Sequence, residues 1–313
     1  VRKFKAIPGC VCFEVDGAAF EAHVGPSQIE QEALVYGAAF PGDGRLQWLL
    51  AKQKVLLGEV AGAKFSRQGA RASGDFNTGM GNSLIFLVEC VSALGNLGVH
   101  FDLLVDGDNA LLFLSPGSLD LVLREFGRLV TESSGHEVKL ERPTTVIEEI
   151  RFGGSAPVYL GAKLGWMMVR EWHRVLSGAF CSHIHLKEPK FAKLWMSGVA
   201  RCELSLARGV PILQEWAVKA IQALPTNRPV KTDFYRDYFA VGAWVAEVGT
   251  AVPVSLDARI SFEKAFGVSV DDQLRFESSL NFDRIGDQYT FYEPKRFSHW
   301  IDEVGVHESW QLC

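Results

Sequence analysis

The sequence predicts an α+β fold, an antiparallel sheet with packed helices, followed by a mainly helical region beyond about residue 162. Three observations carry this. Apolar runs at residues 101–105 and 110–114 flank Asp106-Gly107-Asp108-Asn109, a strong hairpin signal. From Ser118 to Gly135, Leu119, Val122, Leu123, Phe126, Leu129 and Val130 recur at helical spacing behind a capping serine. Past Lys163 the pattern is mainly helical, punctuated by Pro189, Pro211, Pro225 and Pro229.

The remaining elements follow in chain order. An apolar strand over residues 11–15 delivers Asp16 at its end, and Gly17-Ala18-Ala19 turns the chain toward Phe20, Glu21 and His23. Pro26 suits the first position of a helix whose Ile29, Ala33, Tyr36 and Phe40 repeat at helical spacing. Residues 41–44, Pro-Gly-Asp-Gly, break it, and a second helix is expected over 46–57 with Trp48, Leu49 and Leu56 among its apolar positions. Residues 59–72, rich in Gly and Ala, read as a loose hairpin. A helix over 84–94 is expected to stop at Gly95, a residue suited to a left-handed C-terminal position. Residues 138–140 and 146–152 read as further strands, with Gly153-Gly154 turning toward a last one at 158–160.

At 313 residues the chain can hold one large domain or two modest ones. With 48% hydrophobic and 22% charged residues it has the balance of a folded protein. No uninterrupted apolar run reaches the roughly 18–20 residues of a membrane span, and the N-terminus has no signal-peptide pattern. The chain begins at Val1 rather than Met and is expected to be part of something longer. Six cysteines follow no CxxC or disulfide framework, which points to a reducing compartment. Cys181, His183 and His185 with Cys10 and Cys12 have the chemistry of zinc ligands, but alternating strand or loop residues without metal are the preferred reading. The net charge of −5 argues against a general nucleic-acid binder. The charge is uneven, however. Between Lys163 and Arg208 eight Lys/Arg face three Asp/Glu, whereas from Asp233 to Cys313 seven face fourteen, so local contact with phosphates is permitted.

One stretch organises the rest. Residues 69–82, GARASGDFNTGMGN, combine small-residue breaks with Asp75, Asn77 and Thr78, and lead into an apolar helix. Such a loop leaves backbone N–H groups open and allows close approach of a polar ligand such as a ribose or phosphate. Asp16 and Asp108 stand at strand ends. Acids so placed can hold a pair of divalent cations about 4 Å apart for phosphoryl transfer.

In the order Asp16…Glu21, Ser73-Gly74…Asn77-Thr78…Gly81-Asn82, Gly107-Asp108-Asn109 and Lys139, the chain resembles the palm of viral RNA-dependent RNA polymerases, closest to the positive-strand, tombusvirus-like group. VDGAAFEAHV is similar to the first palm motif, and GARASGDFNTGMGN to the second, nearly residue by residue. LLVDGDNALLF takes the place of the Gly-Asp-Asp hairpin, GHEVKLE resembles the fourth motif, and IEEIRFGGSAPVYLGAKLGWMMVREW the fifth and the start of the thumb. The resemblance covers residues 10–174 well. It implies a polymerase palm with an RRM-like core and inserted finger elements over 1–162, then a thumb and C-terminal region over 163–313. The fingers, which the family places before its first motif, are largely missing.

The resemblance also implies roles. Asp16 and Asp108 would bind two Mg²⁺, with Mn²⁺ as the alternative ion. Asn77, with Glu21 and Ser73, would sense the ribose 2′-hydroxyl, supported by Thr78, and Gly74, Asn82 and Asn109 would complete the nucleotide site. Lys139 would donate a proton to the leaving pyrophosphate, and Phe152, Gly153, Gly154 and Ser155 would lie under the primer end. The implied activity is that of a nucleotidyltransferase making RNA on an RNA template from ribonucleoside triphosphates. It would serve viral replication beside other replication proteins, in membrane-associated complexes of the host cytoplasm reached through regions or partners outside this chain. Two positions depart from the pattern. Asn109 stands where the family has a second aspartate, and Glu21 replaces the usual Asp. Two alternatives stay open: a reverse transcriptase-like polymerase, and a catalytically degenerate palm that binds RNA as a replication subunit. Trp166 and Trp172 read as core residues rather than base-stacking platforms.

Overall fold

The computed structural model describes residues 1–182, 185–224 and 232–282; His183, Pro225, Pro229, and residues 283–313 with Cys313 lie outside the described residues. The chain falls into two compact units, Val1–Pro157 and Val158–Cys313.

The first unit opens with α1 (Arg2–Ala6) and β1 (Val11–Ala18), followed by α2 (Phe20–His23), α3 (Pro26–Ala39) and α4 (Gly44–Lys52). Next come a hairpin of β2 (Val55–Val60) and β3 (Ala63–Gln68), then α5 (Thr78–Asn96), β4 (Phe101–Asp106), β5 (Asn109–Leu114), α6 (Leu119–Ser134) and β6 (Glu137–Leu140). The main sheet runs β4-β5-β1-β6, each neighbour antiparallel, so β1 is flanked on both sides. Alternation along these strands separates two faces. Phe13, Val15, Ala110, Leu112 and Leu114 turn inward and bury Ile85, Phe86, Cys90 and Leu94 of α5 and Val122, Phe126 and Val130 of α6. The opposite face carries a smaller cluster, Cys10, Cys12, Leu111, Phe113 and Ile150, and beyond it, on the same parity, Glu14, Asp16, Asn109 and Lys139. An antiparallel sheet covered on one face can leave the other for chemistry.

Several expectations are corrected. The second helix stops at Lys52, and Leu56 belongs to β2, because residues 55–60 pair with 63–68 as a regular hairpin turning at Ala61-Gly62. Helix α5 begins at Thr78 rather than 84 and passes through Gly95; the left-handed residue is Gly98. Residues 146–152 form no strand. Thr144 already exchanges both backbone hydrogen bonds with Cys12 (2.9 Å each), and the chain closes into a 3₁₀ turn, Ile147–Glu149, that packs Ile147, Ile150 and Phe152 on the Cys10/Cys12 cluster. On α3 the apolar repeat is not the buried face. Ile29 is buried, but Gln28 and Glu32 are the other inward residues, while Phe40, and Trp48 and Leu49 of α4, are exposed. By length and composition α5 is long and apolar enough to cross a membrane. Its buried stripe against the sheet is that of a core helix.

The second unit receives β7 (Ser155–Tyr159) at the boundary and pairs it with β8 (Trp166–Arg170). Among the described residues six helices follow: α7 (Trp172–Gly178), α8 (Pro189–Leu206), α9 (Leu213–Ala223), α10 (Arg236–Ala240), α11 (Leu256–Phe266) and α12 (Val270–Ser279). Its core joins Trp195, Met196, Val199 and Leu204 of α8 to Trp216, Ala220 and Ile221 of α9. The Arg259 guanidinium grips Glu277 through two bonds, 3.0 and 2.9 Å, and fastens α11 to α12. Trp166 and Trp172 are half-buried, Trp166 against Tyr159 and Trp172 edge-on to Phe276.

Candidate active site

Strand register builds the site. Asp16, two residues before the end of β1, has Asn109 of β5 as its partner on one side and Lys139 of β6 on the other, so three polar side chains stand in one row across the sheet. Asp108 lies in the β4–β5 turn, which is drawn to β1 by the Gly17 N–H donating to the Asp108 carbonyl at 2.9 Å. Gly17 permits this approach: a Cβ there would stand 2.7 Å from the Phe20 ring and 3.3 Å from the Asp108 oxygen. From the other side, the Ser83 hydroxyl of α5 accepts the Gly107 N–H at 2.7 Å. The Asn109 amide donates to the Asp108 carboxylate at 3.2 Å, a bond that an ionised aspartate at 109 could not supply.

The electrostatics mark this corner. Partial burial pushes the Asp108 carboxyl above the ordinary aspartate range, and the carboxylates of Glu21, Asp16 and Asp106 push it further. Glu14, two residues before Asp16 on the same face, is raised by burial and then by Asp16 and Glu141, against the opposing Gly153 N–H. Lys139 is exposed, and Glu141 at 2.5 Å holds its ammonium more firmly protonated, with Asp16 adding to the effect. Among the described residues no three acidic, histidine or cysteine side chains close into a metal cage. Cys10 and Cys12 are buried in the first unit; Cys181 belongs to the second. Mg²⁺ does not need such a cage, since it takes one or two carboxylates and fills its octahedron with water and phosphate oxygens. The crowded, under-neutralised acids around Asp108 suit a divalent cation.

In the glycine-rich stretch, Ser73, Gly74 and Asp75 form an exposed turn, and Gly74 has φ +97°. Thr78 opens α5, its hydroxyl reaching the carbonyls of Asp75 (2.9 Å) and Ala72 (3.2 Å). Residues 78–82 are therefore the first turn of a helix rather than open loop. Asn77 and Asn82 part company. The Asn77 amide is buried and turned to Gln53, the C-cap of α4 (2.6 and 3.2 Å), and Glu32 of α3 (2.7 Å). Glu21 is joined instead to Asn82, whose amide donates to its carboxylate at 3.2 Å. Of the residues expected to read the sugar, Glu21 is thus joined to Asn82, and Asn77 to Gln53 and Glu32. Asn82 is buried, and its carbonyl oxygen has no protein partner.

Glu32 also accepts from Arg71 in a fully buried ion pair, so α3, α4 and the glycine-rich stretch share one polar cluster. Neither Glu32 nor Gln53 was legible as a site residue; the only sequence signal was a glutamate on the stripe that α3 needed for burial. Glu14 was more accessible, because it alternates with Asp16 inside an apolar strand. The Phe152-to-Ser155 turn closes with reciprocal backbone bonds (3.0 and 3.1 Å), with Gly153 and Gly154 both at positive φ. Its Gly153 N–H donates to Glu14 at 3.0 Å, which seats the turn on the acidic face of the sheet. Phe152 itself packs into the Cys10/Cys12 cluster.

Comparison with known proteins identifies the family. A family model described as viral RNA dependent RNA polymerase matches residues 2–285. The RNA-directed RNA polymerase of Carnation mottle virus is 32% identical over 278 residues, 86% of this chain and 35% of that protein. Those of Turnip crinkle virus and Tobacco necrosis virus (strain A) are 29% and 26% identical, covering 91% and 85% of this chain and 37% of each relative. The chain thus spans about a third of the length of the curated relatives it matches. A four-stranded antiparallel sheet that aligns Asp16, Asn109 and Lys139 beside the Asp108 turn, together with a family match running almost from end to end, gives one result: the chain belongs to the viral RNA-dependent RNA polymerase family.

Proposed function

We propose that this chain carries the palm of an RNA-directed RNA polymerase and the catalytic groups for template-directed RNA synthesis. The observation that carries the reading is the β5-β1-β6 register, which brings Asp16, Asn109 and Lys139 into line next to the Asp108 turn. Asp16 and Asp108 would hold two Mg²⁺, or Mn²⁺. When bound, the ions supply charge for the attacking 3′-oxygen and the leaving pyrophosphate.

The protein's own groups do the rest. Lys139, kept protonated by Glu141, is a proton donor for the pyrophosphate oxygen. Glu21 and Asn82 form the sugar-reading pair, the Glu21 carboxylate accepting a hydrogen bond from a ribose hydroxyl and the buried Asn82 amide holding that carboxylate in place. Asn77 acts from behind by holding the start of α5 to Gln53 and Glu32. Ser73 and Gly74 present an open turn to the nucleotide, Thr78 braces it, and Phe152 to Ser155 form the floor under the primer end. The second unit is proposed as the thumb. RNA template and product, ribonucleoside triphosphates and other viral replication proteins are the proposed partners, in membrane-associated replication complexes of the host cytoplasm.

The test is incorporation by a chain extended toward the length of its relatives. Asp108→Asn abolishes Mg²⁺-dependent nucleotide addition, whereas Asn109→Asp leaves it largely intact; equal, small effects of both reject the assignment. Deoxyribonucleotide preference would favour the reverse transcriptase reading. RNA binding without metal-dependent incorporation would favour the degenerate RNA-binding subunit, the reading to which the missing second turn aspartate at Asn109 points.

A further inference from the structure

We propose that His136 is a positioning residue for sugar selection, tying the helix that carries Asn82 to the short segment that carries Glu21; the inference rests on the function proposed above. His136 follows the left-handed Gly135 that ends α6, and its ring is fully inaccessible to solvent. It lies parallel to the Phe20 ring, centroids 4.1 Å apart and planes within 6°. Phe20 in turn meets Phe86 of α5 edge-on at 5.4 Å. Nδ1 stands 2.8 and 3.0 Å from the two carboxylate oxygens of Glu89 on α5, and Nε2 stands 3.3 Å from the Phe20 carbonyl. Each ring nitrogen is thus engaged, Nδ1 with the Glu89 carboxylate and Nε2 with the Phe20 carbonyl, and the ring joins α5 to α2.

This places His136 at the closed end of a loop of contacts. Glu89 and Asn82 are seven residues apart, two turns along the same face of α5. Phe20 and Glu21 are adjacent on α2. The Glu21–Asn82 bond joins the two elements at the site, and the Phe20–His136–Glu89 chain joins them one level below. The short α2 has little holding it from within: it has four residues, no side-chain cap, and starts from Ala19 in the left-handed region at φ 46°. The backbone of His136 is itself anchored, its carbonyl by the Thr131 hydroxyl (3.0 Å) and its N–H by Ser134 (3.2 Å). A satisfied buried polar network of this kind fixes one arrangement of the elements it joins.

The deciding variant is His136→Phe with Glu89→Leu, which keeps the stack on Phe20, removes both hydrogen bonds and leaves no buried charge unpaired. Glu89→Gln, which keeps an acceptor carbonyl for Nδ1, is the conservative partner and folds without a new cavity. On the 313-residue chain, the side-chain amide protons of Asn82 are followed by NMR. On the extended chain, the preference for a ribonucleotide over its 2′-deoxy form is followed by incorporation. The double variant should shift the Asn82 amide and lower the preference roughly tenfold, chiefly by raising KM for the ribonucleotide, while Glu89→Gln stays within about twofold of the unaltered chain. An unmoved Asn82 amide, or a preference kept within about twofold in the double variant, overturns the inference. If the unaltered chain shows no metal-dependent incorporation, it is the proposed function that fails, and the Asn82 amide still decides the placement of His136.

Discussion

Replacing Gly81 by alanine sets two physical effects against each other with opposite signs. Gly81 lies within α5, where helix propensity favours alanine by about 1 kcal/mol. A Cβ at this position would overlap Glu32 Oε1 and stand 2.7 Å from Arg71 Nη2. These atoms end long side chains that could swing aside in an open setting. Here the Glu32 side chain is 1% and the Arg71 side chain 3% exposed, and Glu32 also accepts from Asn77 at 2.7 Å. Relief therefore requires overpacking, at about 1–3 kcal/mol, or separation of a buried ion pair, at about 3–5 kcal/mol. After subtraction of the propensity gain, Gly81→Ala should destabilise the chain by about 2 kcal/mol. The matched control is Gly95→Ala in the same helix, where a Cβ meets nothing within 4 Å and stabilisation of up to about 1 kcal/mol is expected. Urea titration followed by circular dichroism, with hydrogen exchange of the α5 amides reporting the first unit, measures both. If Gly81→Ala raises the midpoint as Gly95→Ala does, the reasoning about a closed cluster behind the glycine-rich stretch is refuted.

Other consequences follow from the same contacts. The raised Asp108 carboxyl binds its proton more tightly when folded, so its stabilising contribution is present below the ordinary value of 3.8 and is lost as pH rises through the folded value. Asp108→Asn should accordingly raise Tm at pH 8 and change it little at pH 4, as thermal scans at the two pH values will read. Mg²⁺ should raise the Tm of the unaltered chain by mass action and lose that effect in Asp16→Asn and Asp108→Asn. Arg71→Met should cost about 3–5 kcal/mol by leaving Glu32 buried and unpaired, whereas Arg71→Met with Glu32→Leu should cost clearly less, a non-additivity visible in urea midpoints. Gln53→Leu should cost about 1–3 kcal/mol, because the buried Asn77 amide loses a partner, and the same titration checks it.

Where the responsible signals are local, the sequence by itself determined the outcome. Pro26 starts α3, Gly135 ends α6 in the left-handed region, and Gly107-Asp108 turns β4 into β5, each set by one or two residues and their backbone preferences. The motif order also sufficed to name the family, since it depends on residue identity and spacing. Tertiary structure alone decided matters that depend on partners far along the chain. Residues 55–57 had helix neighbours and became a strand because 66–68 were there to pair with them. Residues 146–152 had strand composition and formed none, because Thr144 had already taken the available pairing with Cys12. The same holds at the site. Which asparagine meets Glu21 was settled by helix phase and packing: once Thr78 begins α5, Asn82 faces the Glu21 segment, while Gln53 and Glu32, 24 and 45 residues upstream of Asn77, claim the other amide. Hydrogen bonds act over about 3 Å whatever the chain separation, so no spacing rule along the sequence carries that information.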